Sequence, residues 1–102
     1  MMIVYITCKG QKQAKGIAKA LLSERLIACA NIFPVQSLYK WKGKVQDHQE
    51  YVLLGKSRKN LFSAIKKRVE HLHSYDVPCI ELISSKANKA FEQWVGKETK
   101  NP

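Results

Sequence analysis

Ser37-Leu-Tyr-Lys-Trp-Lys-Gly43-Lys-Val-Gln-Asp-His-Gln-Glu50-Tyr-Val-Leu-Leu-Gly55-Lys-Ser57 reads as one long β-hairpin. Leu38, Tyr39, Trp41 and Val45 flank Lys42-Gly43, where glycine supplies the positive φ that a tight hairpin turn needs. The run from Tyr51 to Gly55 carries apolar residues at successive positions, the pattern of a strand covered on both faces in the middle of a sheet. The tip places Tyr39 and Trp41 among lysines, with no obvious cover in a chain of 102 residues. Such a tip points to a partner.

On the N-terminal side, Leu26 to Phe33 is a short apolar run that ends at Pro34. A proline there cannot donate to a ladder, which favours an edge strand or a bulge before the hairpin. Further back, Ala14, Ile17, Ala18, Leu21 and Leu22 fall at i, i+3, i+4, i+7 and i+8, the stripe of an amphipathic helix. Ile3 to Thr7 is a β-rich run and makes the first strand. On the C-terminal side, Ser57 has the chemistry of an N-cap. Leu61, Ala64, Ile65, Val69 and Leu72 then repeat at helical spacing, with Lys59, Lys66, Lys67 and Arg68 largely opposite. Pro78 biases the preceding backbone away from helix. Cys79 to Ile83 reads as a fourth strand, and Ala87, Ala90, Phe91, Trp94 and Val95 as a third helical stripe.

The order is βαββαβ, with one further helix at the end. It predicts an α+β fold, a ferredoxin-like sandwich in a single domain over residues 1–102, with an extended hairpin between its second and third strands. Both helices of that sandwich lie on one face of the sheet. The other face and the edge strands need cover, and Tyr39, Trp41 and Trp94 are the natural subunit-interface residues.

Composition narrows the class. Hydrophobic residues make up 45% of the chain, enough for a core. No stretch approaches the roughly 20 apolar residues of a membrane span, and the N-terminus lacks the features of a secretory signal. Cys8, Cys29 and Cys79 are odd in number, widely spaced and set in or beside apolar runs, as expected of reduced thiols in a cytoplasmic protein. The formal charge of +10 is spread along the whole chain rather than gathered at a site. The third strand carries one aromatic where RNA-recognition domains of this strand order carry several, which argues against nucleic acid. No glycine-flanked serine, phosphate-cradling loop or obvious pair of matched acid and base is seen, and a relay drawn through Tyr75, Asp76 and His73 suits a turn as well, so a catalytic role finds little support.

Several motifs in one order carry a resemblance: Leu26-Ile-Ala-Cys-Ala-Asn31, Ser37 to Gly43, Glu50, Lys56-Ser57, His73-Ser-Tyr-Asp-Val-Pro78 and Phe91-Glu-Gln-Trp-Val95. Together they resemble the CutA divalent-ion tolerance proteins over about residues 3 to 96. The resemblance implies a tight cytosolic homotrimer associated with copper and other divalent cations. At the level of fold and assembly it extends to the PII signalling proteins, which is analogy alone. The chain departs from the usual family pattern at Ser74 and Asp76, which replace proline and glutamate, and at Cys79, which also replaces glutamate.

Copper or zinc would need imidazole, thiolate and carboxylate donors converging at about 2.0–2.3 Å. The candidate set is His73, Glu50 and Cys79, as a labile or intersubunit site. The competing reading of His73 is structural, with His73 and Tyr75 hydrogen-bonding the turn before Pro78. A PII-like trimer would instead hold a small anionic ligand in subunit clefts, with Lys9, Lys12, Lys56 or Arg58 as charge partners.

Overall fold

The computed structural model describes residues 1–101. Strand β1 (Met2–Cys8) leads into helix α1 (Gln11–Ser23), then β2 (Cys29–Trp41), β3 (Lys44–Ser57), α2 (Phe62–Leu72), β4 (Ile80–Ser84) and α3 (Lys89–Glu98). The four strands form one antiparallel sheet in the order β2-β3-β1-β4. This is the ferredoxin-like arrangement, with the apolar run of β3 in an interior position as its sequence requires.

Alternation along β1 sets the two faces. Met2, Val4, Ile6 and Cys8 are buried and join Ala14, Ile17, Ala18 and Leu21 of α1, Ile65 and Val69 of α2, and Leu53 of β3 in one core. Leu53 and its neighbour Val52 point to opposite faces, yet both are 0% exposed. The strand therefore has cover on both sides at this point. Gly55 pairs with Val4, and a β-carbon added there would come within 2.9 Å of the Val4 side chain and 3.1 Å of Ile27. The close approach of β3 to these two side chains is what demands glycine.

The hairpin register runs without a bulge from Cys29↔Lys56 to Trp41↔Lys44. Pro34 therefore sits within a continuous edge strand, where its missing donor costs nothing to the ladder. At the turn both central residues are left-handed, Lys42 at φ 52° and Gly43 at φ 79°, the signs of a type I′ turn. The last seven pairs, from Val35↔Glu50 outward, lie beyond the end of β1 and form a two-stranded ribbon.

Three local expectations change. Ser57 is not an N-cap: β3 continues through it, and its buried hydroxyl donates to the Leu26 carbonyl at 2.6 Å. The chain leaves the strand at Arg58 and makes a 3-10 turn over Lys59–Leu61 before α2 begins. Leu22 lies at the margin of the α1 stripe and stays 40% exposed, because the sheet is reached by Ile17, Ala18 and Leu21. The α3 stripe is only part used, with Val95 buried and Trp94 exposed.

Candidate functional site

The sheet face opposite α1 and α2 carries Glu50, two residues before Val52 and so on the same side. Glu50 as a residue is only 6% exposed. The segment between α2 and β4 folds over this end of the sheet, where Tyr75 Oη donates to Glu50 Oε2 at 2.6 Å. His73 fixes that segment. Its Nε2 donates to the Thr7 carbonyl at 2.7 Å, and its Nδ1 accepts from the Tyr75 backbone N–H at 3.1 Å. The hydrogen-bond pattern assigns the neutral tautomer with the proton on Nε2. The His73 and Tyr75 rings also pack at 4.7 Å. From the other side, Gln13 Nε2 donates to Ser74 Oγ at 2.8 Å, while Gln13 Oε1 accepts from the Lys9 backbone at 3.0 Å.

Between this segment and the hairpin lies a cavity of about 490 Å³. Glu50, Tyr75, Asp76 and Cys79 line it, together with Tyr39 and Trp41 of the hairpin. Tyr39 and Trp41 are 41% and 42% exposed, so the hairpin tip is part covered by its own chain. The aromatics expected at a subunit contact are also the wall of a cavity. That role was not legible, because it requires the ribbon and a loop over 30 residues away in sequence to approach each other.

Of the three expected metal donors, the fold brings together Glu50 and Cys79. His73 does not line this cavity, and backbone engages both of its ring nitrogens, so its one lone pair, on Nδ1, is already taken by the Tyr75 N–H. The structural reading of His73 and Tyr75 is the one the geometry carries. Among the described residues no group of three or more His, Cys, Asp or Glu is placed to hold a metal ion. The Cys79 thiol is pushed up by burial, with Glu81 and Glu50 adding to the effect, so it is held as the neutral thiol. Burial and the Glu50 carboxylate likewise push the Tyr75 hydroxyl up, which keeps its proton in place for the hydrogen bond.

The four cations of the anion reading fall at two ends of the sheet. Lys9 and Lys12 follow β1 near the Glu50 end, whereas Lys56 pairs with Ile3 at the opposite end. The five-residue offset along β1 between Ile3 and Cys8 amounts to about 17 Å. Lys56 Nζ lies 5.6 Å from the centre of the Phe91 ring. Arg58 donates to Thr99 Oγ1 and the Thr99 carbonyl, both at 2.9 Å, and to the Lys100 carbonyl. Arg25 donates to the Lys97 and Glu98 carbonyls at 2.7 and 3.2 Å. The two arginines thus satisfy carbonyls at and beyond the end of α3, and Arg58 is committed to the chain's own tail. Trp94 sits on α3, its ring centre 5.7 Å from that of Phe91 and away from the cavity.

The split βαβ sheet, with one face closed by helices and the other left with a cavity and exposed aromatics, defines a ferredoxin-like α+β protein. The sequence matches the CutA1 divalent ion tolerance protein family over residues 2–98, and the chain belongs to that family. It is 40% identical to the divalent-cation tolerance protein CutA of Pyrococcus horikoshii, over 98% of this chain and 99% of that one. The crystal structure of CutA1 from the same organism superposes with a TM-score of 0.94 at 38% identity, covering 99% of this chain and 100% of the other. The PII-like protein CutA from Nostoc sp. PCC 7120 in apo form superposes at 0.91, with 29% identity and 98% of each chain covered.

Proposed function

We propose that the protein is a non-catalytic homotrimer of the cytoplasm that binds divalent cations, copper among them, weakly and reversibly as part of metal tolerance. The observation that carries this reading is Glu50. It is a nearly buried residue whose carboxylate has a hydroxyl rather than a cation as hydrogen-bond partner, and it lines the same cavity as Cys79. Two donors from one chain make an open, labile contact, completed by water or by a neighbouring copy. Three free cysteines suit a reducing compartment. The trimer is supported by Phe33, Ile83 and Trp94, apolar groups that a single chain leaves exposed, and by a ribbon with unpaired edges.

The test is an equilibrium titration of reduced, chelator-stripped protein with copper and with zinc against a competing chelator. Saturable binding that weakens in Glu50→Gln and Cys79→Ala is expected, with sedimentation giving three times the 11.7 kDa chain mass. Binding unchanged in both variants would remove the metal reading. A second reading, a PII-like signalling trimer for a small anionic ligand, draws on the likeness to the PII-like Nostoc protein. In it Lys9 and Lys12 of one copy would have to meet Lys56 of another, with Arg58 first released from the tail.

A further inference from the structure

We infer that the cavity beneath Tyr39 and Trp41 receives a small organic cation, a primary or quaternary ammonium compound, seated on the aromatic rings with its charge directed at Glu50. The inference rests on the reading that the Glu50 cavity is a cation site, and it names a ligand class that a metal-tolerance role does not include.

Three observations carry it. The first is charge. The chain has 18 lysines and arginines, yet among the residues lining the cavity none is basic and two, Glu50 and Asp76, are carboxylates. In a protein of formal charge +10 this is a local inversion, and it opposes an anionic occupant. The second is the state of Glu50. It is more than nine-tenths buried, it lines the cavity, and among the described residues it makes no salt bridge. A carboxylate withdrawn from water without a counter-charge is costly, and a cationic ligand supplies what the fold omits. The third is the wall. Tyr39 and Trp41 line the cavity, and aromatic rings attract ammonium groups, most strongly cations already stripped of water.

Size separates this ligand from a bare metal ion. A metal is held by several donors within about 2.0–2.6 Å, and the described residues hold no such group. A cavity of about 490 Å³ is instead in the range that encloses small organic ligands. Cys79 and the Tyr75 ring add a weakly polar lining that an alkyl chain tolerates.

The experiment uses the full chain in its native assembly, with chelator present. Choline and its uncharged carbon isostere, 3,3-dimethylbutan-1-ol, are titrated separately while the indole N–H resonance of Trp41 is followed. That resonance is assigned by its loss in Trp41→Phe. The expected result is a saturable shift with choline and none with the isostere at equal concentration. Glu50→Gln keeps the acceptor for Tyr75 and so the local fold, and it is expected to weaken choline binding by tenfold or more. No shift with choline, an equal shift with the isostere, or full binding in Glu50→Gln would each overturn the inference. A neighbouring copy's lysine already seated in the cavity would give the first of these. Copper or zinc titration in parallel, without chelator, keeps the two readings apart: metal binding without choline binding ends this inference alone, and choline binding without metal binding ends the metal role alone.

Discussion

The two faces of the sheet are built from the same strands, often from adjacent residues, and they end in different states. On the face that meets α1 and α2, Val4, Ile6 and Leu53 are sealed by the chain's own helices. On the other, Phe33 and Ile83 stay open, and cover comes only in patches, from the Tyr75 segment at one end and α3 at the other. One face is completed by local sequence, since each helix follows the strand it covers. The other must wait for a loop, a ligand or another copy.

Substitutions can separate these states, starting with the largest expected effect. Leu53→Ala empties a fully enclosed site and should cost about 2–5 kcal/mol, seen in chemical denaturation as a lowered midpoint. A loss under about 1 kcal/mol would mean that the closed face is looser than its burial implies. Gly55→Ala forces a methyl against Val4 and Ile27 and should cost about 1–3 kcal/mol by the same assay.

On the open face the stakes concern association and ligands as well as folding. Tyr75→Phe removes the hydroxyl that satisfies Glu50 and should cost about 1–3 kcal/mol, with wild-type secondary structure by circular dichroism. The pair Phe33→Ser and Ile83→Ser should leave secondary structure unchanged and lower the mass found by sedimentation. Unchanged mass would show that association does not use this apolar face.

The smallest effect is a matter of pH. Burial, with a lesser contribution from Glu50, pushes the Cys8 thiol from an ordinary 9.0 to about 11. A raised thiol pKa means that the folded state holds the proton more tightly than the unfolded state. Its stabilising contribution is therefore full below about 9 and is lost as pH rises through about 11. Alkylation of native protein at pH 8 should spare Cys8 and reach Cys29 and Cys79 faster, a difference readable by peptide mass mapping. Lys9 follows Cys8 in sequence, where a nearby cation would favour thiolate, yet burial decides the direction.

The strand and helix order was legible because each element carries its own period: successive apolar residues in β3, alternation in β1, and 3.6-residue stripes in the helices. The β3 interior position follows from its apolar run and the Lys42-Gly43 turn from backbone chemistry, while Pro34 left an edge strand or a bulge open until the continuous register decided for the edge. Glu50 and Cys79 were legible as residues capable of meeting a cation, because donor type is written in the side chain. What the periodicities do not contain is long-range geometry. His73 reads first as a turn residue and second as a ligand until the Thr7 carbonyl and the Tyr75 amide claim its two nitrogens. Ser57 has the chemistry of a cap until strand pairing turns it inward to Leu26. Arg58 reads as a free cation until the tail reaches it. Likewise, Tyr39 and Trp41 become a cavity wall only when the ribbon meets the Tyr75 segment. Local sequence determined the elements and their order, since those depend on neighbours a few residues apart. Tertiary structure decided which polar groups are already satisfied and which remain to bind, because most of their partners lie 25 to 66 positions away.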